Sequence, residues 1–163
     1  MAAKSEYLQI RLTPVQKRRL KRLAAGAGLD VSSYVLARAL PSSQARFEAV
    51  LGSLQNGEED SYALASLNDL LADLGADELR ETVAGGDVAH LSPLLQNYVA
   101  AMVEHACVEK GIPPPSWARG VVPLETPWFA AALKSLRPHL LRASPVAFKR
   151  RNIFIDSTVG TRV

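Results

Sequence analysis

Residues 7–12, Tyr-Leu-Gln-Ile-Arg-Leu, limit the possible folds of this chain more than any other stretch. Leu8, Ile10 and Leu12 fall on one face and Tyr7, Gln9 and Arg11 on the other. That is the period of two of a half-buried strand. No second strand-like run lies nearby, and the only other one, Ile153-Phe154-Ile155, sits at the far end of the chain. A lone strand leaves its backbone donors and acceptors unmatched. The simplest partner is the same strand from a second copy, which predicts a homodimer. The two strands would form an antiparallel ribbon that exposes Gln9 and Arg11 from both copies.

Beyond the strand the pattern turns helical. Thr13 then Pro14 opens a helix, with threonine as N-cap and proline at the first position. This first helix is expected to run to about Ala25, with Val15, Leu20, Leu23 and Ala24 as its apolar stripe. Lys17, Arg18, Arg19, Lys21 and Arg22 make the rest of it basic. Gly26 and Gly28 mark its end, where glycine can take the left-handed cap. Asp30 is the N-cap of a second helix carrying Val31, Tyr34, Val35 and Leu36, with Pro41 beyond its end.

A ribbon of two strands fits the major groove of B-DNA. There arginine can grip O6 and N7 of guanine and glutamine N6 and N7 of adenine. The order of strand, Thr-Pro opening, Gly-Leu-Asp-Val-Ser-Ser-Tyr-Val turn and second helix resembles the ribbon-helix-helix family of DNA-binding proteins, over about residues 6–40. The resemblance implies an obligate dimer on operator DNA. It places Gln9 and Arg11 at base edges, Tyr7 or Thr13 near the groove rim, and a phosphate at Val31, Ser32 and Ser33. A helix N-terminus suits an anion through its N–H groups and dipole. Lys17 and Arg18 either reach further phosphates or only solvate the helix.

The charge is segregated. Residues 1–38 carry eight Lys/Arg and two Asp/Glu; residues 39–110 carry three and twelve; residues 111–163 carry eight and two. The expected fold class is mainly α. A ribbon-helix-helix module over 1–42 precedes an acidic helical body over 43–110 and a Pro/Trp-rich, irregular C-terminal region over 111–163. In the body, apolar spacing predicts helices over about 43–54, 61–74, 77–83 and 92–110, with Asn56-Gly57 as a loop. The last helix turns Leu94, Leu95, Tyr98, Val99, Met102, Val103 and Ala106 inward.

Other chemistries find little support. His90, His105, His139 and the single Cys107 show no metal-ligand spacing. No phosphate loop, nucleophile elbow or HExxH occurs, so neither an enzyme nor a cofactor is expected. One cysteine suits a reducing compartment, and no apolar run approaches membrane length, so a cytoplasmic protein with no membrane partner is expected.

The C-terminal third holds both tryptophans, Trp117 and Trp128, among the prolines Pro113, Pro114, Pro115, Pro123 and Pro127. These prolines forbid one regular helix. The segment reads as extended chain pinned by aromatic anchors, on its own core or on a partner. A bent helix is expected over about 127–141, interrupted at Pro138, then a helical turn after Ser144-Pro145. Lys149, Arg150 and Arg151 precede Ile153-Phe154-Ile155, which either packs as a strand on its own domain or adds to a partner's sheet edge.

The words WAR (117–119), PWF (127–129), SLRPHLL (135–141), SPVAF (144–148) and RRNIFID (150–156) look similar to C-terminal regions of antitoxins paired with nucleotidyltransferase-like toxins. That resemblance implies that residues 41–163 form an antitoxin body; the aromatic anchors, the basic triplet and the apolar triplet make Trp117, Trp128, Phe129, Lys149, Arg150, Arg151, Ile153, Phe154 and Ile155 its candidate partner-binding residues. The expected function is that of a type II antitoxin: a dimeric repressor of its own operon that also neutralises a cognate toxin. Two alternatives stand beside it, a regulator whose helical body senses a small molecule and an adaptor whose head only dimerises.

Overall fold

The computed structural model describes residues 9–39, 42–54, 60–131 and 133–156. Tyr7, Pro41 and the Asn56-Gly57 loop lie outside them. The chain divides into two units, residues 1–42 and 43–163.

In the first unit, helix α1 spans Pro14–Gly26. The Thr13 hydroxyl accepts the Gln16 N–H (3.3 Å), and the Gln16 carboxamide oxygen accepts the Thr13 N–H (2.9 Å). This reciprocal box meets two amides that a helix start leaves open. At the other end Gly28 takes φ +69°. There the Leu29 N–H reaches the Ala24 carbonyl (3.0 Å) and the Gly28 N–H the Ala25 carbonyl (3.2 Å). Only glycine adopts this conformation without cost. Helix α2 spans Val31–Ala39, and Asp30 caps it by accepting the Ser33 N–H at 3.0 Å. Residues 9–13 belong to no regular element. The strand expected over residues 7–12 is not shown among the described residues.

The second unit is mainly helical. Helices α3 (Ser43–Ser53), α4 (Asp60–Asp73), α5 (Ala76–Val83) and α6 (Pro93–Glu109) surround one core. Phe47, Leu51, Leu67, Leu70, Leu71, Leu79, Val83, Val99, Val103 and Cys107 are buried in it. Helix α6 is the central element. It buries Asn97, Ala100 and Ala101 as well as the expected Leu95, Val99, Met102, Val103 and Ala106, so most of its circumference is covered. Gly111, at φ +67°, closes it in the same way that Gly28 closes α1, with the Ile112 N–H on the Cys107 carbonyl (2.9 Å).

The C-terminal third departs from the expected layout in three ways. First, the Pro/Trp-rich segment contains a short helix, α7 (Ser116–Gly120), directly after the three prolines. Second, no helix begins near Pro127. Trp128–Phe129 is a strand, β1, paired in parallel with β2, Ile153–Phe154. The Trp128 N–H bonds the Asn152 carbonyl (2.8 Å) and the Ala130 N–H the Phe154 carbonyl (3.0 Å). These long-range bonds override local helix propensity. Third, Pro138 does not interrupt a helix but starts one. Helix α8 (Arg137–Ala143) has this proline in its first turn, where its missing N–H costs nothing. A 3-10 turn, Lys134–Leu136, precedes α8, and helix α9 (Val146–Lys149) comes after it.

The tail is part of the body. Phe148, Ile153 and Ile155 belong to the same core as α3–α6. Residues 43–110 and 111–156 therefore share one hydrophobic interior, and the stretch after Lys110 is no separate module.

Candidate functional site

The candidate residues lie on two surfaces, one in each unit.

The first unit is cationic and incompletely covered. Lys17, Arg18, Arg19, Lys21 and Arg22 are all exposed on α1, as are Gln9 and Arg11 just before it. Asp30 is the only acid between residues 9 and 39. The apolar positions are exposed too. Ile10 is 57% and Val15 65% exposed, and Leu12, Leu23, Leu29 and Leu36 are also open, while Ala24 is buried. Of the apolar stripe expected on α1, Leu20 is half-buried and only Ala24 is fully covered. Of the expected phosphate-holding group, Ser33 is already engaged: its N–H and its hydroxyl (2.6 Å) both go to the Asp30 carboxylate. Thr13 is engaged in its capping box.

In the second unit the expected partner residues divide sharply. Ile153, Phe154 and Ile155 are buried, and Phe154 stacks on Phe129 with ring centroids 4.9 Å apart. Trp128 is half-buried and meets Tyr98 edge-on at 6.2 Å. Burial also pushes the Tyr98 hydroxyl above its ordinary pKa. Trp117 donates its indole N–H to the Val83 carbonyl (2.7 Å). Its ring lies where a side chain at Gly86 would be, since a Cβ there would sit 2.6 Å from Cε2 and Cζ2. Gly86→Ala is therefore expected to displace the indole and cost about 1–3 kcal/mol. A lowered melting temperature with a red-shifted tryptophan emission would show it; an unchanged emission would refute it.

The basic triplet also divides. Arg150 is exposed, and Lys149 donates to the Arg142 carbonyl (2.9 Å). Arg151 points inward, with its side chain 5% exposed. Its Nη2 lies 2.7 Å and its Nε 3.3 Å from the two Glu104 carboxylate oxygens. Nη1 donates to the Asn97 carboxamide oxygen and the Val121 carbonyl, both at 3.2 Å, and Nη2 donates to the Ala118 carbonyl as well. All five guanidinium N–H groups thus have acceptors. Asn97 spends its amide on the Pro93 and Val122 carbonyls, both at 2.9 Å. One charged group therefore joins α6, α7, the loop at 121–122 and the tail.

Two neighbours complete this arrangement. Asn152 adopts φ +57°, which asparagine tolerates, and donates to the Leu124 carbonyl (2.6 Å). The Ser144 hydroxyl accepts the Ile155 N–H (2.9 Å) and has the Leu140 (2.6 Å) and Ile155 (2.7 Å) carbonyls as alternative acceptors for its one proton. Sequence reasoning did not identify Glu104, Asn97, Ser144 or Asn152. One signal was available. Asn97 and Glu104 lie two turns apart on the face of α6 that also carries Ala100 and Ala101, and a buried polar group requires a partner.

Reactive chemistry is sparse here. Cys107 is buried, and burial first, then the nearby Glu104, pushes its thiol above the ordinary pKa. That keeps it protonated and unreactive. Among the described residues no three His, Cys, Asp or Glu side chains converge as metal ligands, and no helix is long and apolar enough to cross a membrane. No protein-family model, curated protein or solved structure matches the chain.

Proposed function

We propose that the chain is a dimeric, DNA-binding regulator of the antitoxin kind. Residues 7–12 of two copies would pair as a ribbon and place Gln9 and Arg11 in the major groove. The helical body would bind a cognate toxin, of nucleotidyltransferase-like character by the resemblance of its C-terminal words. The observation that carries this reading is the state of the first unit. A cationic segment of two helices and the residues before them exposes Ile10, Leu12, Val15, Leu23 and Leu36. Such a set of apolar side chains calls for a second copy, and the cations for an anionic partner.

The test is a gel shift with the promoter of the chain's own operon. Gln9→Ala with Arg11→Ala is expected to abolish sequence-specific binding, since each good base contact contributes roughly 1–3 kcal/mol of discrimination. Specific binding that survives the double change would sink the ribbon reading. Sedimentation of the wild-type chain should show a dimer.

A second reading has one observation in its favour. A groove of about 580 Å³ in the second unit is lined by Trp117, Val121 and Val122 together with Asp87, Gln96 and Asn97. A body that senses a small molecule would use such a groove. A nucleotidyltransferase-like reading frame beside this one would decide for the antitoxin.

A further inference from the structure

The segment from Leu133 to Arg150 carries five cations, Lys134, Arg137, Arg142, Lys149 and Arg150, and no acid. Among the described residues none of the five forms an ion pair with a carboxylate. The 3-10 turn and α8 touch the body lightly. Of residues 133–142, Leu140 is the one buried side chain. Leu133 is 66% exposed, and Leu136 and Leu141 are open beside it. Val146, 64% exposed, extends the apolar surface onto α9. The lysine-to-carbonyl bond from Lys149 to Arg142 ties α9 to α8, so these side chains share one end of the unit. Arg137 is held over the Phe129 ring, 4.8 Å from its centroid.

Leu133, Leu136, Leu141 and Val146 are exposed between these cations along the chain, so a partner covering the segment would bury apolar surface as well as meet charge. We propose that this face, formed by the 3-10 turn, α8 and α9, is a docking surface for a protein partner that presents carboxylates around an apolar groove. The charge selects an acidic partner, and the leucines supply burial that a purely ionic contact lacks. Nucleic acid is the poorer match. Aliphatic side chains gain nothing against hydrated phosphates, Phe148 is buried, and the exposed His139 ring is engaged by the Asp156 carboxylate at 3.3 Å. A lipid surface is poorer too, because the apolar residues are split over three short elements and not aligned along one amphipathic helix. The face differs from the one expected from sequence. Arg151 and Ile153 to Ile155 are withdrawn into the core, and Leu133, Lys134, Leu136, Arg137, Leu141, Arg142 and Val146 take their place.

This inference rests on the partner-binding half of the proposed function and is independent of DNA binding by the first unit. The experiment uses the full chain and four fluorescent or labelled probes. They are a peptide helix with one leucine face and one glutamate face, a leucine-free peptide of equal charge, a random DNA duplex, and phosphatidylglycerol vesicles. The leucine-glutamate helix is expected to bind more tightly than the leucine-free peptide. Arg142→Glu with Arg150→Glu should weaken it about tenfold or more, and Leu136→Ser with Leu141→Ser should weaken it comparably. Both pairs are exposed and should leave the melting temperature and the operator gel shift unchanged. Lys134→Glu with Arg150→Glu provides a second charge pair should the first perturb folding. The proposal is overturned if these variants bind the helix as the wild type does. It is equally overturned if the duplex or the vesicles are the probes that lose affinity in the variants. Loss of the operator shift in the wild type would remove the DNA half of the function and leave this result standing.

Discussion

Arg151→Ala is expected to destabilise the second unit by about 3–5 kcal/mol, the usual cost of removing one partner from a buried ion pair. The Glu104 side chain is only 15% exposed, and without the guanidinium its carboxylate has no countercharge there. The Asn97 carboxamide oxygen and the Val121 and Ala118 carbonyls lose their donor in the same step. In a unit of this size that corresponds to a fall of roughly 10–20 °C in melting temperature. Arg151→Lys should recover little, because an ammonium is a point charge and cannot reach acceptors on three elements at once. Glu104→Gln should cost less than Arg151→Ala, since the guanidinium keeps its carbonyl acceptors. Urea denaturation monitored by circular dichroism measures all three. A cost below about 1 kcal/mol for Arg151→Ala would mean that the network contributes nothing beyond a surface pair.

Ending the chain at Arg150 should abolish cooperative unfolding of the second unit altogether. Such a chain lacks Arg151 and the buried Ile153, Phe154 and Ile155. It also lacks the strand that pairs with Trp128–Phe129 and the amide that bonds Ser144. A single buried isoleucine already contributes about 2–5 kcal/mol. Two of them with the arginine network rival the whole stability of a domain, about 5–15 kcal/mol. The expected outcome is rapid proteolysis within residues 43–150 and no thermal transition. A truncated chain that melted within a few degrees of the intact one would show the tail to be an appendage. The distinction matters for function. If the tail is core, a truncation that loses partner binding reports unfolding, and only point changes on the exposed face of α8 and α9 report docking.

Both effects arise from contacts that no local pattern announces. The helices α3 to α6 were legible because their cause is local. Leucines at helical spacing, the Ser92-Pro93 opening and Gly111 all act within a turn or two of where they stand. Thr13, Gly28 and Asp30 cap their helices for the same reason. The third from Gly111 onward was not legible in the same way. Pro138 reads as a helix breaker wherever it stands, and only the location of the helix start makes it harmless. Trp128 reads as helical beside Phe129, Ala130 and Ala131 until a strand from the far end of the chain offers it a hydrogen bond.

Three properties were already settled in the order of the amino acids: a mainly helical chain, a segregated charge, and two capped helices, α1 and α2, in a cationic segment ahead of a larger body. They are sums or short-range patterns, and folding does not alter them. Which member of Lys149-Arg150-Arg151 is a core residue was settled by packing alone. The three cations are equivalent in sequence. The position of Asn97 and Glu104 on α6 separates them, because a guanidinium with five acceptors can be buried and a cation without them cannot.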